Sequence, residues 1–482
     1  MRSIAITAAL AVAISPVLGF WRLPCRGRLG VARIDPIVNP GEIAPHAHVI
    51  HGASNFGLKV DTEELLDSKC TSCAVKEDKS IYWTPAVYFM HPNGSTELVE
   101  QVGGMLVYYL LRGEGVQAFP SGLRMLAGDP YQRNFTWPVP DPPKSSWSAD
   151  ESTQFALSQK AIGFNCMNYM GGKAEDALFR HTMPSKEFMD ANCPNGIRME
   201  MAFPSCWNGK DLDSEDHRSH VAYPDLVEDG VCPEGFEHRI VTLLYETIWN
   251  TYRYKGVEGE FVLSNGDPTG AGYHADFIDA WQPGVLDQAV KTCTSSTGII
   301  EECPIFTLQD ESEQQKCDFR LPVSLLSEDC KYSESGLPGK VEISRGPAYA
   351  LPHKKPKFEL PKINIPKPSS SSSSSSTAPP PPPPAPSTSA PTSTSTPTPT
   401  PTPTPAPTPT PAQFFAVDDD ENGKILSTST YTEGNTVYEV VIVEELVTTT
   451  VEVPAGATLA PGTKATRQVV RRRGHGHGHW QH

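Results

Sequence analysis

The sequence predicts an all-β or β-dominated globular domain, sandwich-like, with long loops and few helices, followed by a disordered stalk. Three observations carry that prediction. Short segments alternate apolar and polar residues with period two. Gly-Asp, Asn-Gly and Pro-Asn turns separate those segments. Near residue 366 the composition changes abruptly to serine, threonine and proline.

The first 19 residues have the pattern of a signal peptide. Arg2 supplies a positive start, and Ile4 to Leu18 is apolar and uncharged, with small or tolerated residues (Val17, Gly19) before a cut at Phe20. The run is shorter than the roughly 20 residues of a membrane span. Val437 to Val453 is apolar-rich, but four glutamates interrupt it, and the C-terminus lacks the hydrophobic tail that directs lipid anchoring. The chain therefore reads as secreted, extracellular or wall-associated, without a membrane anchor.

Residues 20–366 are long enough for a large core. Strands are expected at Tyr82 to Met90, around Ile197 to Phe203, from Ile240 to Thr247 and at Phe261 to Ser264. Helices are expected at Ser152 to Lys160 and at Leu286 to Cys293, where Leu286, Ala289, Val290 and Cys293 share a face. All 11 cysteines fall between Cys25 and Cys330, which reads as a disulfide framework with one thiol left over. Cys70-Thr-Ser-Cys73 has redox or zinc spacing, but in an exported chain a structural disulfide is the better reading. The sequons at Asn93 and Asn134 predict glycosylated surface loops.

Residues 367–412 form the stalk: Ser369 to Ser376, Pro379 to Pro384, then alternating Thr-Pro from Thr396 to Pro411. Such a segment buries no core, and its prolines cannot enter helices or central strands, so an extended, O-glycosylated spacer is expected. Residues 413–482 hold a β-prone segment, with a hairpin expected over Thr436 to Val453, and a basic tail in which Arg471 to Arg473 precede His475, His477, His479 and His482. That tail reads as disordered or as a weak metal-binding tract. The net charge of −16 argues against a nucleic-acid partner.

Three histidine motifs carry the candidate chemistry. In Pro45-His46-Ala-His48-Val-Ile-His51-Gly52, strand spacing puts His46 and His48 on one face, and Gly52 permits a turn that folds His51 back toward them. In Asp216-His217-Arg-Ser-His220, a helical turn puts both rings on one side. In Gly272-Tyr-His274-Ala-Asp276, His274 and Asp276 share a strand face. Imidazole ligates copper and zinc, so His46, His48, His51, His220 and His274 are the candidate metal ligands, with His217 and Asp276 as candidate catalytic groups. The bland alternative is that these histidines merely pack or bond locally. Asp35, Asp129, Asp213, Asp216, Asp267 and Asp276 offer carboxylates for glycosidic acid–base chemistry, although turn aspartates more often cap the backbone. Trp21, Trp83, Trp207, Trp249 and Trp281, with Tyr82, Tyr88, Tyr108 and Tyr109, either stack on sugars or fill a core. No nucleophile elbow, P-loop, dinucleotide fingerprint or zincin motif is present.

Several blocks in order resemble a known family: Phe20-Trp-Arg-Leu-Pro-Cys25, Arg33-Ile-Asp35-Pro36, Pro45 to Gly52, Tyr82-Trp-Thr-Pro85, Phe119 to Arg124, Phe203 to Gly209, Asp216 to Pro224, Gly266 to Gly270 and Gly272 to Phe277. Over about residues 20–295 the chain is similar to the fungal secreted family catalogued as domain of unknown function nineteen-ninety-six. It departs from the pattern at Asp279-Ala280-Trp281, where Asn-Gly-Trp is expected. The resemblance implies an extracellular or wall-associated protein in a carbohydrate context, with no established activity. Three functions follow as expectations: a binder of cell-wall polysaccharide, a carbohydrate-active hydrolytic or oxidative enzyme with a His-rich site, or an extracellular metal-binding protein.

Overall fold

The computed structural model describes residues 19–171 and 175–351 together with the strands Lys424–Glu433, Thr436–Val447 and Ala465–His475. The expected signal peptide and stalk lie outside the described residues. The chain divides into two units, Met1–Pro366 and Lys367–His482.

The first unit is β-dominated, as the alternation predicts. One five-stranded sheet runs in the order Phe20–Cys25, Gln101–Leu110, Thr242–Trp249, Ile197–Ala202, Ile162–Cys166, and every pairing in it is antiparallel. A second runs Gly30–Ala32, His48–Gly52, Ile81–Pro85, His274–Ile278, Arg124–Gly128, also antiparallel throughout. Two smaller antiparallel sheets flank them.

The two large sheets share one core. Leu23, Val107, Tyr109, Met199, Leu243 and Tyr245 of the first sheet join Val49, Tyr82, Met125 and Phe277 of the second in a single cluster. The opposite face of the second sheet is covered as well: Ile50, Ile81, Trp83 and Ile278 pack with Ile34, Ile37 and Phe56 from the loops and with Leu65 from a short helix. This double burial explains why His48–Gly52, Ile81–Pro85 and His274–Ile278 are buried at every position. It also forces the polar residues of these strands inside, where each needs a partner or a purpose.

Helices are few and short. Gln154–Lys160 starts at Thr153, whose hydroxyl accepts from the Ala156 N–H, and Val285–Thr292 buries Leu286 and Ala289. Both lie where the sequence predicts them. Thr62–Leu66 adds a capping box between Asp61 and Glu64. The predicted strand over Tyr82 to Met90 is two strands broken at Ala86, Ile81–Pro85 in the second sheet and Val87–Met90 in a smaller one.

Ten cysteines pair as Cys25–Cys73, Cys70–Cys317, Cys166–Cys193, Cys206–Cys232 and Cys293–Cys303, and Cys330 is a buried free thiol. Cys70 and Cys73 therefore take different partners and form neither a redox pair nor a zinc knuckle. Cys70–Cys317 joins positions 247 residues apart. A cross-link of that span removes roughly 5 kcal/mol of unfolded-chain entropy.

Among the singled-out aromatics, Trp21, Trp83, Trp249, Trp281, Tyr82, Tyr88 and Tyr109 are buried. They fill the core and present no face to a sugar. Of the sequons, Asn93 is exposed on a turn and Asn134 is half-buried.

In the second unit the three described strands form an antiparallel sheet with Thr436–Val447 at its centre, paired to Lys424–Glu433 and Ala465–His475. The expected hairpin within 436–453 is thus one central strand whose partners come from either side in sequence. No helix among the described residues is long and apolar enough to cross a membrane.

Candidate metal centre

His48 and His274 each open a strand of the second sheet. His48 stands opposite Pro85, and Asp276 stands opposite Trp83. The two imidazoles therefore sit at the same end of Ile81–Pro85, one on each side of it. Side chains two apart in a strand share a face, so His48, His274 and Asp276 all point to the loop-covered face. His46 lies just ahead of its strand and turns to the same place. Its ring centroid is 4.3 Å from that of His48 and 5.1 Å from that of His274.

The three buried rings offer nitrogen atoms that all lie within 4.8 Å of one another. His46 Nε2 and His274 Nε2 are 3.1 Å apart. The Nδ1–H of His274 donates to the Gly272 carbonyl at 2.9 Å. In the neutral ring this leaves the His274 Nε2 lone pair facing the cluster, where it accepts from His46 Nε2–H. A backbone carbonyl that fixes the tautomer of a ligand histidine is the usual outer-shell arrangement in metal sites. Neither nitrogen of His48 has a hydrogen-bond partner of normal geometry, although the Ile34 backbone lies near enough to favour its protonated form slightly.

Burial holds the His48 and His274 rings neutral. It lowers His48 well below the ordinary imidazole range, with repulsion from His274 adding to the effect. It lowers His274 to about 4, against the opposing hydrogen bond to Gly272. Neutral imidazole is the form that binds metal. Asp276 is fully buried, and neither carboxylate oxygen has a hydrogen-bond partner. Burial and then repulsion from Asp35 raise it well above the carboxylate range, opposed by Arg218. Asp35 is itself raised to about 6 by burial, despite accepting from the Ile37 and Val38 N–H groups. Asp276 thus stands protonated near the three nitrogens, and an entering cation would meet a carboxylic acid able to release its proton.

A tetrahedral zinc ion at about 2.0–2.1 Å from each nitrogen sets its ligands roughly 3.3 Å apart. The His46–His274 pair, at 3.1 Å, is close to that spacing, and a His48 nitrogen lies within 4.8 Å of both. Three ligands leave a position for water or another molecule, and imidazole suits zinc and copper alike.

The other predicted residues stand elsewhere. His51 belongs to the same strand as His48 but is three residues on, so it faces the opposite side of the sheet, near Arg28 and Gln101. Gly52 continues the strand and does not turn it back. His220 is buried with both nitrogens engaged, Nδ1 with Ser214 Oγ at 2.9 Å and Nε2 with the Arg124 carbonyl at 2.7 Å, so it pins its loop to the sheet. His217 Nδ1 pairs with Asp213 at 2.7 Å, and its carbonyl accepts from the Leu126 N–H. Among the described residues neither joins the three-histidine group. Sequence reasoning missed Arg218, whose charge acts on both His274 and Asp276. Its position between two histidines in a quoted motif was the available signal.

Gly128 pairs with His274 in the sheet at φ +81°, and a Cβ there would lie 2.5 Å from the Tyr273 carbonyl oxygen and 3.0 Å from His274 Cα. Gly128→Ala is therefore expected to shift His274 and weaken metal binding about tenfold or more, read by competition with a chromophoric chelator on protein whose circular dichroism is unchanged.

No curated protein and no solved structure matches the chain. A family model described as Domain of unknown function (DUF1996) matches residues 35–281, a span that contains His46, His48, His274 and Asp276 as well as both large sheets apart from the strands Phe20–Cys25 and Gly30–Ala32. That match covers half of the 482 residues, and the chain belongs to this family of unknown function.

Proposed function

We propose that this protein is an extracellular metalloprotein that holds one copper or zinc ion on His46, His48 and His274. The observation that carries the reading is the convergence of three buried imidazoles from two segments more than 200 residues apart. Burying a polar ring costs free energy unless it is satisfied; neither His48 nitrogen has a hydrogen-bond partner of normal geometry, and a metal ion would supply one. The signal-peptide pattern and the five disulfides support export. The open coordination position gives the ion a role as Lewis acid or redox centre on a molecule brought beside it, which is how a carbohydrate-active reaction would use this site.

The test is elemental analysis of the full chain with His475, His477, His479 and His482 changed to serine, which silences the tail. One equivalent of copper or zinc per chain is expected, and it should disappear in the His46→Ala/His274→Ala form of the same protein. A stoichiometry near zero after metal loading, or metal retained in that double variant, refutes the assignment.

A further inference from the structure

A cavity of about 460 Å³ opens against the same edge of the second sheet. Gly128 and Asp129, at the end of the strand that pairs with His274, form part of its wall, and Arg218 forms another part. Two phenylalanines stand in its lining: Phe155 is 54 % exposed and Phe236 is half-buried.

The polar groups of this cleft are arranged for a ligand with many hydroxyls. Arg218 Nη1 and Asp129 Oδ2 are 3.7 Å apart. That is too long for a direct hydrogen bond, yet it suits a hydroxyl that accepts from one and donates to the other. Asp129 Oδ1 is held by the Tyr131 N–H, which fixes the carboxylate with Oδ2 toward the arginine. The third charged lining residue, Asp216, spends its Oδ1 within its own turn, accepting from the Arg218 and Ser219 N–H groups and the Ser214 hydroxyl. Asp129 and Asp216 outnumber Arg218 among the charged lining residues, so the cleft disfavours an anion, while the facing Arg218–Asp129 pair suits the hydroxyls of a neutral ligand. A half-exposed aromatic ring beside alternating donors and acceptors matches a pyranose ring, apolar on one face and hydroxylated at its edges.

We infer that this cleft binds a neutral carbohydrate, a short run of pyranose rings seated on Phe155 with hydroxyls bridging Arg218 and Asp129. The volume falls within the range of small-ligand sites and accommodates two to three sugar rings. The inference rests on the cleft alone and stands whether or not the histidines hold metal. If both hold, the sugar and the metal sit on neighbouring strands, because Gly128 lines the cleft and pairs with His274 in the sheet.

The experiment is calorimetric titration of the full chain with cellotriose, chitotriose and laminaritriose, with metal content measured on the same samples so that the two readings succeed or fail separately. Saturable binding of at least one trisaccharide is expected. Phe155→Ala should weaken it about tenfold, since the ring is exposed and its loss leaves the core intact. Arg218→Gln should weaken it by a similar factor. No saturable binding to any of the three sugars overturns the inference. So does binding that Phe155→Ala and Arg218→Gln both leave unchanged, which would place the sugar elsewhere.

Discussion

In metal-loaded protein, His48→Ala is expected to lower metal affinity at least a hundredfold, because loss of an orienting outer-shell group alone commonly costs 10- to 100-fold and His48 is proposed as a direct ligand. Metal bound at 100 times its dissociation constant stabilises the folded state by about 2.7 kcal/mol. That increment, seen as the rise in melting temperature on adding zinc or copper, should vanish in the variant. The metal-free proteins should differ much less. His48 is fully buried and neither ring nitrogen has a normal hydrogen-bond partner, so its removal takes away an unsatisfied polar group and leaves only a cavity to offset that relief. A purely structural histidine predicts the reverse: a large loss of stability without metal and no metal-dependent increment in either protein.

The second large effect concerns acid. His51 is fully buried between the sheets, and burial, followed by repulsion from Arg28, lowers it to about 3, with Gln101 opposing. An unfolded histidine takes up a proton near pH 6.5. As pH falls below 6.5, the unfolded chain therefore gains a proton that the folded chain refuses, and stability drops until about pH 3. Above pH 6.5 the group contributes no pH dependence. The expected loss from this one residue is about 2 kcal/mol at pH 5. His51→Leu replaces the ring by an apolar group of similar volume and removes that loss. Its stability relative to the natural protein, measured by urea denaturation, should rise by about 2 kcal/mol between pH 8 and pH 5. Asp35, raised to about 6, and Glu200, raised to about 8, titrate in the opposite sense, but they are present in both proteins and cancel in the difference. Parallel pH profiles for the two proteins would show that His51 is not held neutral. His51→Leu should also keep its metal, since the residue faces away from the centre.

Much of the fold was legible because period-two alternation survives wherever one sheet face meets the core. Ile197–Ala202 and Thr242–Trp249 lie where the pattern placed them. The pattern fails in the second sheet, whose strands are buried on both faces and show no alternation. There the sequence records only that polar residues sit among apolar ones. Strand parity put His46 with His48 and His274 with Asp276 correctly. It also placed His51 on the far face, and the turn imagined at Gly52 overrode it. His220 could be told from His48 only by its bonds to Ser214, in its own loop, and to the Arg124 carbonyl, 96 residues away.

By itself the sequence determined the β-dominated class, the disulfide-bonded character and the residue types able to hold a metal, because local periodicity and composition fix these without knowledge of distant neighbours. Only the tertiary structure decided which histidines meet. His46 and His274 are 228 positions apart, and their approach depends on strand order in the second sheet, a long-range pairing that no local spacing encodes. The tertiary fold likewise buries seven of the nine aromatic rings singled out for sugar stacking and places Phe155 and Arg218 in the cleft.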